Sequence, residues 1–145
     1  MREALNQAEL AASSGETPVG AVIVDANSKS VLARAHNECA GSNDPAAHAE
    51  ILALRRAGKK LKNYRLPDTV MVVTLEPCIM CLGAMIQARI SGLVFGARDP
   101  KAGAIISRLD ISELHWLNHG FWFVDRVLES ECAALLQDFF KEKRA

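Results

Sequence analysis

The stretch Glu76-Pro77-Cys78-Ile79-Met80-Cys81 constrains this chain more than any other. Two thiols three residues apart follow an apolar, β-like run from Val70 to Leu75. Proline suits the start of a helix, because its missing N–H would be unpaired there anyway. A helix opening here sets Cys78 and Cys81 on one face, since i and i+3 are neighbours. Its N-terminal partial positive charge favours thiolate over thiol. The result is a two-sulfur claw for a soft divalent metal. His48, thirty residues upstream in His48-Ala49-Glu50, is the candidate third ligand.

At 145 residues the chain is expected to form one domain, residues 1–145, around one core. Lys+Arg and Asp+Glu number 17 each, so there is no global attraction to nucleic acid and any such binding must be local. No apolar run approaches the roughly 18 residues needed to span a bilayer, so no membrane partner is expected. The first residues lack the apolar core of a signal peptide. Four cysteines, two of them in Cys-x-x-Cys, fit reduced thiols and metal better than disulfides, and a cytoplasmic location is expected.

Residues 2–14 read as an amphipathic helix on Ala4, Leu5, Ala8, Ala11 and Ala12, with a first turn left loose by its start almost at Met1. Residues 20–24 and 31–35 flank an Asp-Ala-Asn-Ser turn and predict a β-hairpin. Residues 36–43 read as loop. Asp44-Pro45 is an N-cap followed by proline at the first helical position, which predicts a helix from there to Ala57, ended by Gly58. Residues 55–65 carry Arg55, Arg56, Lys59, Lys60, Lys62 and Arg65, either an RNA rim or a solvated loop.

Thr69 to Leu75 has the continuous apolar, β-branched character of an interior strand. The helix from Cys78 to Arg89 is so apolar that it must be covered on more than one side, by the chain's own core or by a partner. Residues 92–96 form a strand, predicted to run parallel to 69–75 across the helical crossover. Residues 99–120 read as loop with a short helix near 111–116. Phe121 to Val124 reads as a strand whose aromatic density suits an exposed edge or a partner surface. Cys132, Leu135, Leu136 and Phe139 fall at i, i+3, i+4 and i+7 of a last helix ending in Lys141, Lys143 and Arg144. The layout is α/β: a central sheet flanked by helices.

A catalytic zinc has three protein ligands and an open position for water. His48, Cys78 and Cys81 supply three; Cys39 and Cys132 sit singly, with core or structural roles expected. One tension stands: positions i and i+2 of a regular helix do not face each other, so His48 and Glu50 share a site only if His48 sits at a ragged first turn.

His-Ala-Glu at 48–50 with Pro-Cys-Ile-Met-Cys at 77–81 resembles the signature of the zinc-dependent nucleoside and nucleobase deaminases. Six further blocks are similar to the bacterial tRNA-specific adenosine deaminases: 17–22, 43–50, 63–66, 73–78, 94–99 and 131–140. The likeness runs over nearly the whole chain. It implies a three-layer α/β/α cytidine-deaminase-like fold with a mixed sheet of about five strands. It implies one Zn2+ per subunit held by His48, Cys78 and Cys81, which makes hydroxide available near neutral pH, and Glu50 as the catalytic proton carrier. The implied reaction is hydrolytic deamination of the wobble adenosine to inosine in a tRNA anticodon stem-loop, the base splayed out of its loop. By the same resemblance Asn37 hydrogen-bonds the nucleoside, the backbone around Ala21 reads the base edge, His48 and Val19 sandwich the ring, and Asp99 lies beside the RNA backbone. By the aromatic and basic pattern of the tail itself, Phe140 and the charges with it, Lys141 among them, stack on or clamp RNA. Asn37 has a loop-capping alternative and Asp99 a turn-capping one. The resemblance also implies a homodimer.

Ala104-Ile105-Ile106 and Phe121-Trp122-Phe123 depart from the family, the first being more apolar and the second more aromatic than expected. Two other readings stand beside editing: a small-molecule deaminase of guanine or a cytosine nucleoside, and an inactive zinc scaffold that presents RNA. Glu50 argues against the scaffold, which needs no proton carrier.

Overall fold

The computed structural model describes residues 1–145. Helix α1 (Arg2–Ser13) leads into β1 (Gly20–Asp25) and β2 (Val31–His36); a single turn α2 (Cys39–Ser42) precedes α3 (Ala49–Leu61). Strand β3 (Thr69–Leu75), helix α4 (Ile79–Ala88) and strand β4 (Gly92–Ala97) follow. A 3-10 turn at Ile111–Glu113, β5 (Trp122–Val124) and α5 (Glu129–Arg144) complete the chain.

The five strands form one mixed sheet in the order β2-β1-β3-β4-β5. β1 is antiparallel to both neighbours, while β3, β4 and β5 run parallel. The parallel β3–β4 pair is the one expected from the crossover. Helices α1 and α5 pack together on one face, and α3 with α4 on the other. Gly20 makes the α1 side possible, since a Cβ there would lie 2.0 Å from the Ala4 carbonyl oxygen. Ala21, Ile23, Met71, Val73, Leu93 and Phe95 are buried in the main cluster, which makes β3 the interior strand its composition predicts.

Three expectations about where elements begin and end are corrected, and a fourth, the loose first turn of α1, is corrected below. The Asp44-Pro45 signal starts a turn, not the helix: the Asp44 carboxylate accepts from Ala46 N at 2.9 Å, and α3 begins only at Ala49. Gly58 does not end α3, which continues to Leu61 and closes at Lys62 in the left-handed region, with Asn63 N donating to Gly58 O. Residues 39–42, read as loop, form the helical turn α2.

The two departures have physical reasons. Ala104 and Ile105 are core residues, buried against the main cluster. The Trp122 ring lies over Gly92, where a Cβ would fall 2.2 Å from the indole, and Phe123 stacks on Phe95 at 6.3 Å. β5 is an exposed sheet edge. On α4, Leu82, Met85 and Ile86 are buried, but Ile79 is 66% exposed, and Gly83 and Gln87 are exposed with it. One side of this apolar helix is therefore uncovered in a single chain. α1 begins at Arg2, where Leu5 N bonds Met1 O and Glu3 pairs with Arg34 at 2.8 Å, so its first turn is tied down. No helix is long and apolar enough to cross a membrane.

Candidate metal centre

His48 and Cys78 occupy the same place on two helices. Each is the N-cap residue, with extended backbone at φ −70° ψ 150° and φ −78° ψ 174°. N-caps are ordinarily Ser, Thr, Asp or Asn, whose side chains bond the first turn. His48 and Cys78 make no such bond. Two helix starts thus forgo their own caps and aim those side chains at each other. The extended backbone also removes the i, i+2 objection, because His48 precedes the first helical turn and Glu50 lies in it.

His48 Nδ1 lies 3.6 Å from Cys78 Sγ and 3.6 Å from Cys81 Sγ. A tetrahedral zinc with Zn–S near 2.3 Å and Zn–N near 2.05 Å sets N and S about 3.6 Å apart. The three donor atoms lie within 4.8 Å of one another, and the cluster is compatible with zinc. Cys81 donates toward Cys78, which holds the Cys78 thiol well below its usual range and, with burial, pushes Cys81 above it. The Cys78 contact raises His48 against the opposing effect of burial.

Glu50 is 4% exposed, and its Oε2 is a buried oxygen with no hydrogen-bond partner. Burial pushes its carboxyl up to about 7. The charge of His48, two residues before it, opposes that shift. A buried polar atom without a partner is destabilising and rare, and marks a place for water or substrate.

The neighbouring residues are placed as follows. Asn37, buried at the end of β2, accepts from Ala49 N at 2.8 Å through Oδ1 and supplies the α3 cap that His48 lacks. Only its Nδ2 is left for another acceptor. Val19 is buried beside it, its carbonyl taken by Asn37 N. Ala21 is fully buried within the ladder, between Ala35 and Val73. Asp99 Oδ1 caps its own turn, accepting from Lys101 N and Ala102 N at 2.9 and 3.3 Å. Asp99 and Phe140 share the wall of a cavity of about 690 Å³, with Arg98, Lys101, Lys143 and Arg144. Lys141 is exposed but does not line it.

Sequence reasoning gave no role to Glu76 or Glu16. Both are buried, and Glu16 accepts from Gly41 N at 2.6 Å, holding the α2 turn. The available signal for Glu76 was a charge at the end of an apolar strand, directly before Pro77.

The MafB19-like deaminase family matches residues 1–144. A structure from work on A-to-I editing by tRNA:A34 deaminases at the wobble position superposes with a TM-score of 0.90. It is 40% identical and covers 94% of this chain and 97% of that one. A guanine deaminase from Nitrosomonas europaea superposes at 0.82 with 26% identity, over 94% and 80% of the two chains. The tRNA-specific adenosine deaminase of Haemophilus influenzae is 45% identical over 99% of this chain and 83% of its own length. That of Bacillus subtilis is 41% identical over 99% and 88%. The fold is the three-layer cytidine-deaminase-like one. The chain belongs to the deaminase family and, within it, to the tRNA-specific adenosine deaminases.

Proposed function

We propose that this protein, as a single deaminase domain, hydrolyses the amine from the wobble adenosine of a tRNA anticodon loop, releasing ammonia and leaving inosine. The observation that carries the reading is Glu50: a buried carboxylate with one unpartnered oxygen beside a His/Cys/Cys cluster. His48, Cys78 and Cys81 would hold one Zn2+ per chain. When bound, the ion supplies a Lewis acid that makes water a usable nucleophile near neutral pH. Glu50 removes one proton from that water and gives it to the purine ring nitrogen as C6 is attacked, then takes the second from the new C6 hydroxyl and gives it to the departing amine, which leaves as ammonia. Its raised carboxyl range suits both halves of the transfer. Asn37 donates through Nδ2 to the nucleoside, Val19 and His48 flank the ring, and Ala21 backs the pocket from inside the sheet.

The cavity at Asp99 and Phe140 takes the RNA outside the target base. Arg98, Lys101, Lys143 and Arg144 supply phosphate contacts, and Phe140 a stacking face, with Lys141 beside it. Asp99 acts there by shaping its turn rather than by meeting phosphate. A second copy covers the open stripe of α4 at Ile79 and Gly83, making a homodimer.

Purified protein is assayed on an anticodon stem-loop and on free adenine, guanine and cytidine, with zinc measured alongside. Inosine in the stem-loop is expected. Turnover of guanine alone would transfer the protein to the small-molecule reading. Glu50→Ala is expected to keep its zinc and lose activity; loss of zinc would overturn the assignment of Glu50 as proton carrier.

A further inference from the structure

Glu76 is 2% exposed and accepts five hydrogen bonds. Oε1 takes Ile105 N, Ile106 N and Ser107 N at 3.2, 2.7 and 2.9 Å. Oε2 takes Asp99 N at 3.0 Å and the Ser107 hydroxyl. Two carboxylate oxygens offer about four lone-pair sites, so none is left for a proton or an ion. All five donors belong to one irregular segment, 99–107. That segment carries Asp99 and Lys101 on the wall of the basic cavity. Its other backbone tie to the Pro77-Cys78 corner is Ala104 N to Pro77 O, at 2.8 Å. Gly103 has no side chain where one would strike Glu76, since a Cβ would lie 2.3 Å from Glu76 Cδ. The start of α4 is held without Glu76, by Leu82 N to Cys78 O at 2.9 Å.

We infer that Glu76 is a positioning residue for substrate recognition: a buried strut that sets the 99–107 segment, and with it the outer RNA cavity, at a fixed distance from the metal corner. It acts on stem-loop binding rather than on hydrolysis, because its bonds end in the segment and not on Cys78. This rests on the proposed function for its kinetic part only. In Glu76→Gln the volume stays, but two new N–H donors face a cradle made of donors. The segment loosens, and Asp99 and Lys101 lose their fixed place on the wall of the cavity.

The test uses the zinc-loaded full chain. Glu76→Gln is expected to raise KM for the stem-loop roughly tenfold with kcat within about twofold, as a lost positioning contact should. Zinc stoichiometry stays that of the parent, and amide hydrogen exchange speeds up in 99–107 but not in α4. Gly103→Ala, which displaces the carboxylate from the other side, is expected to give the same pattern. Unchanged KM and exchange, or zinc loss with kcat collapse at constant KM, would overturn the inference. If the parent protein fails to deaminate any stem-loop, the proposed function falls, and the exchange experiment still decides the strut.

Discussion

Glu50 and Glu76 are both buried near the cysteine corner, and their surroundings are opposites. Glu76 stands at the end of β3 with five donors on two oxygens. Burial favours the neutral form, yet the Ser107 hydroxyl and the backbone N–H groups of Ile106, Ser107 and Asp99 together hold its carboxyl below the usual range. Glu50 stands in the first turn of α3 with an orphan oxygen, and there burial wins. The contrast separates structure from chemistry. A saturated carboxylate has no lone pair with which to move a proton, whereas an unsatisfied one near neutrality does.

The comparison can be broken in four ways, taken from the largest expected effect. Cys78→Ala removes the claw beside both glutamates. Zinc content should fall to background, activity with it, and stability by about 4 kcal/mol or more, since metal binding couples to folding. Metal analysis and a thermal melt check this; retained zinc would show that Cys78 is not a ligand.

Glu50→Gln should lose roughly 10²–10⁴-fold in turnover, the usual contribution of a proton carrier. In urea it should be as stable as the parent or more so by about 1 kcal/mol, because a poorly satisfied buried carboxylate has been neutralised. Glu76→Gln should move the other way and lose about 1–3 kcal/mol, because bonded backbone donors are left unpaired. Urea melts of equal sign for the two variants would erase the distinction.

The smallest effect lies outside both sites. Burial pushes the Cys132 thiol up to about 11 from the model-peptide 9.0. The folded state then holds its proton where the unfolded chain releases it. The stability this contributes is complete below pH 9 and declines as pH rises toward 11. Melting curves of the parent and Cys132→Ala across that window should converge as pH rises; a constant gap would mean the thiol is not protected.

Much of the centre was legible. Cys-x-x-Cys after an apolar strand and His-x-Glu before a helical run are local patterns, and the structure brings those side chains together. The start of α3 was not legible. Asp44-Pro45 satisfies every local requirement of a helix start, but Asn37, twelve residues before Ala49, provides the bond that sets it. The apolar 104–106 segment looked like an anomaly along the chain and is core in space. The open face of α4 could not be read either, since an apolar helix has the same pattern whether its cover comes from its own chain or from a second copy.

The order of strands and helices, the interior character of β3 and the donor types at the corner were set by residue pattern, because periodicity, proline and soft ligands act over a few neighbours. The folded molecule alone decided that β5 lies parallel at the sheet edge, that Asn37 caps α3, and which buried glutamate is saturated. Those outcomes depend on donors and packing partners far away in the chain, whose meeting costs loop entropy and is repaid only when the whole core forms.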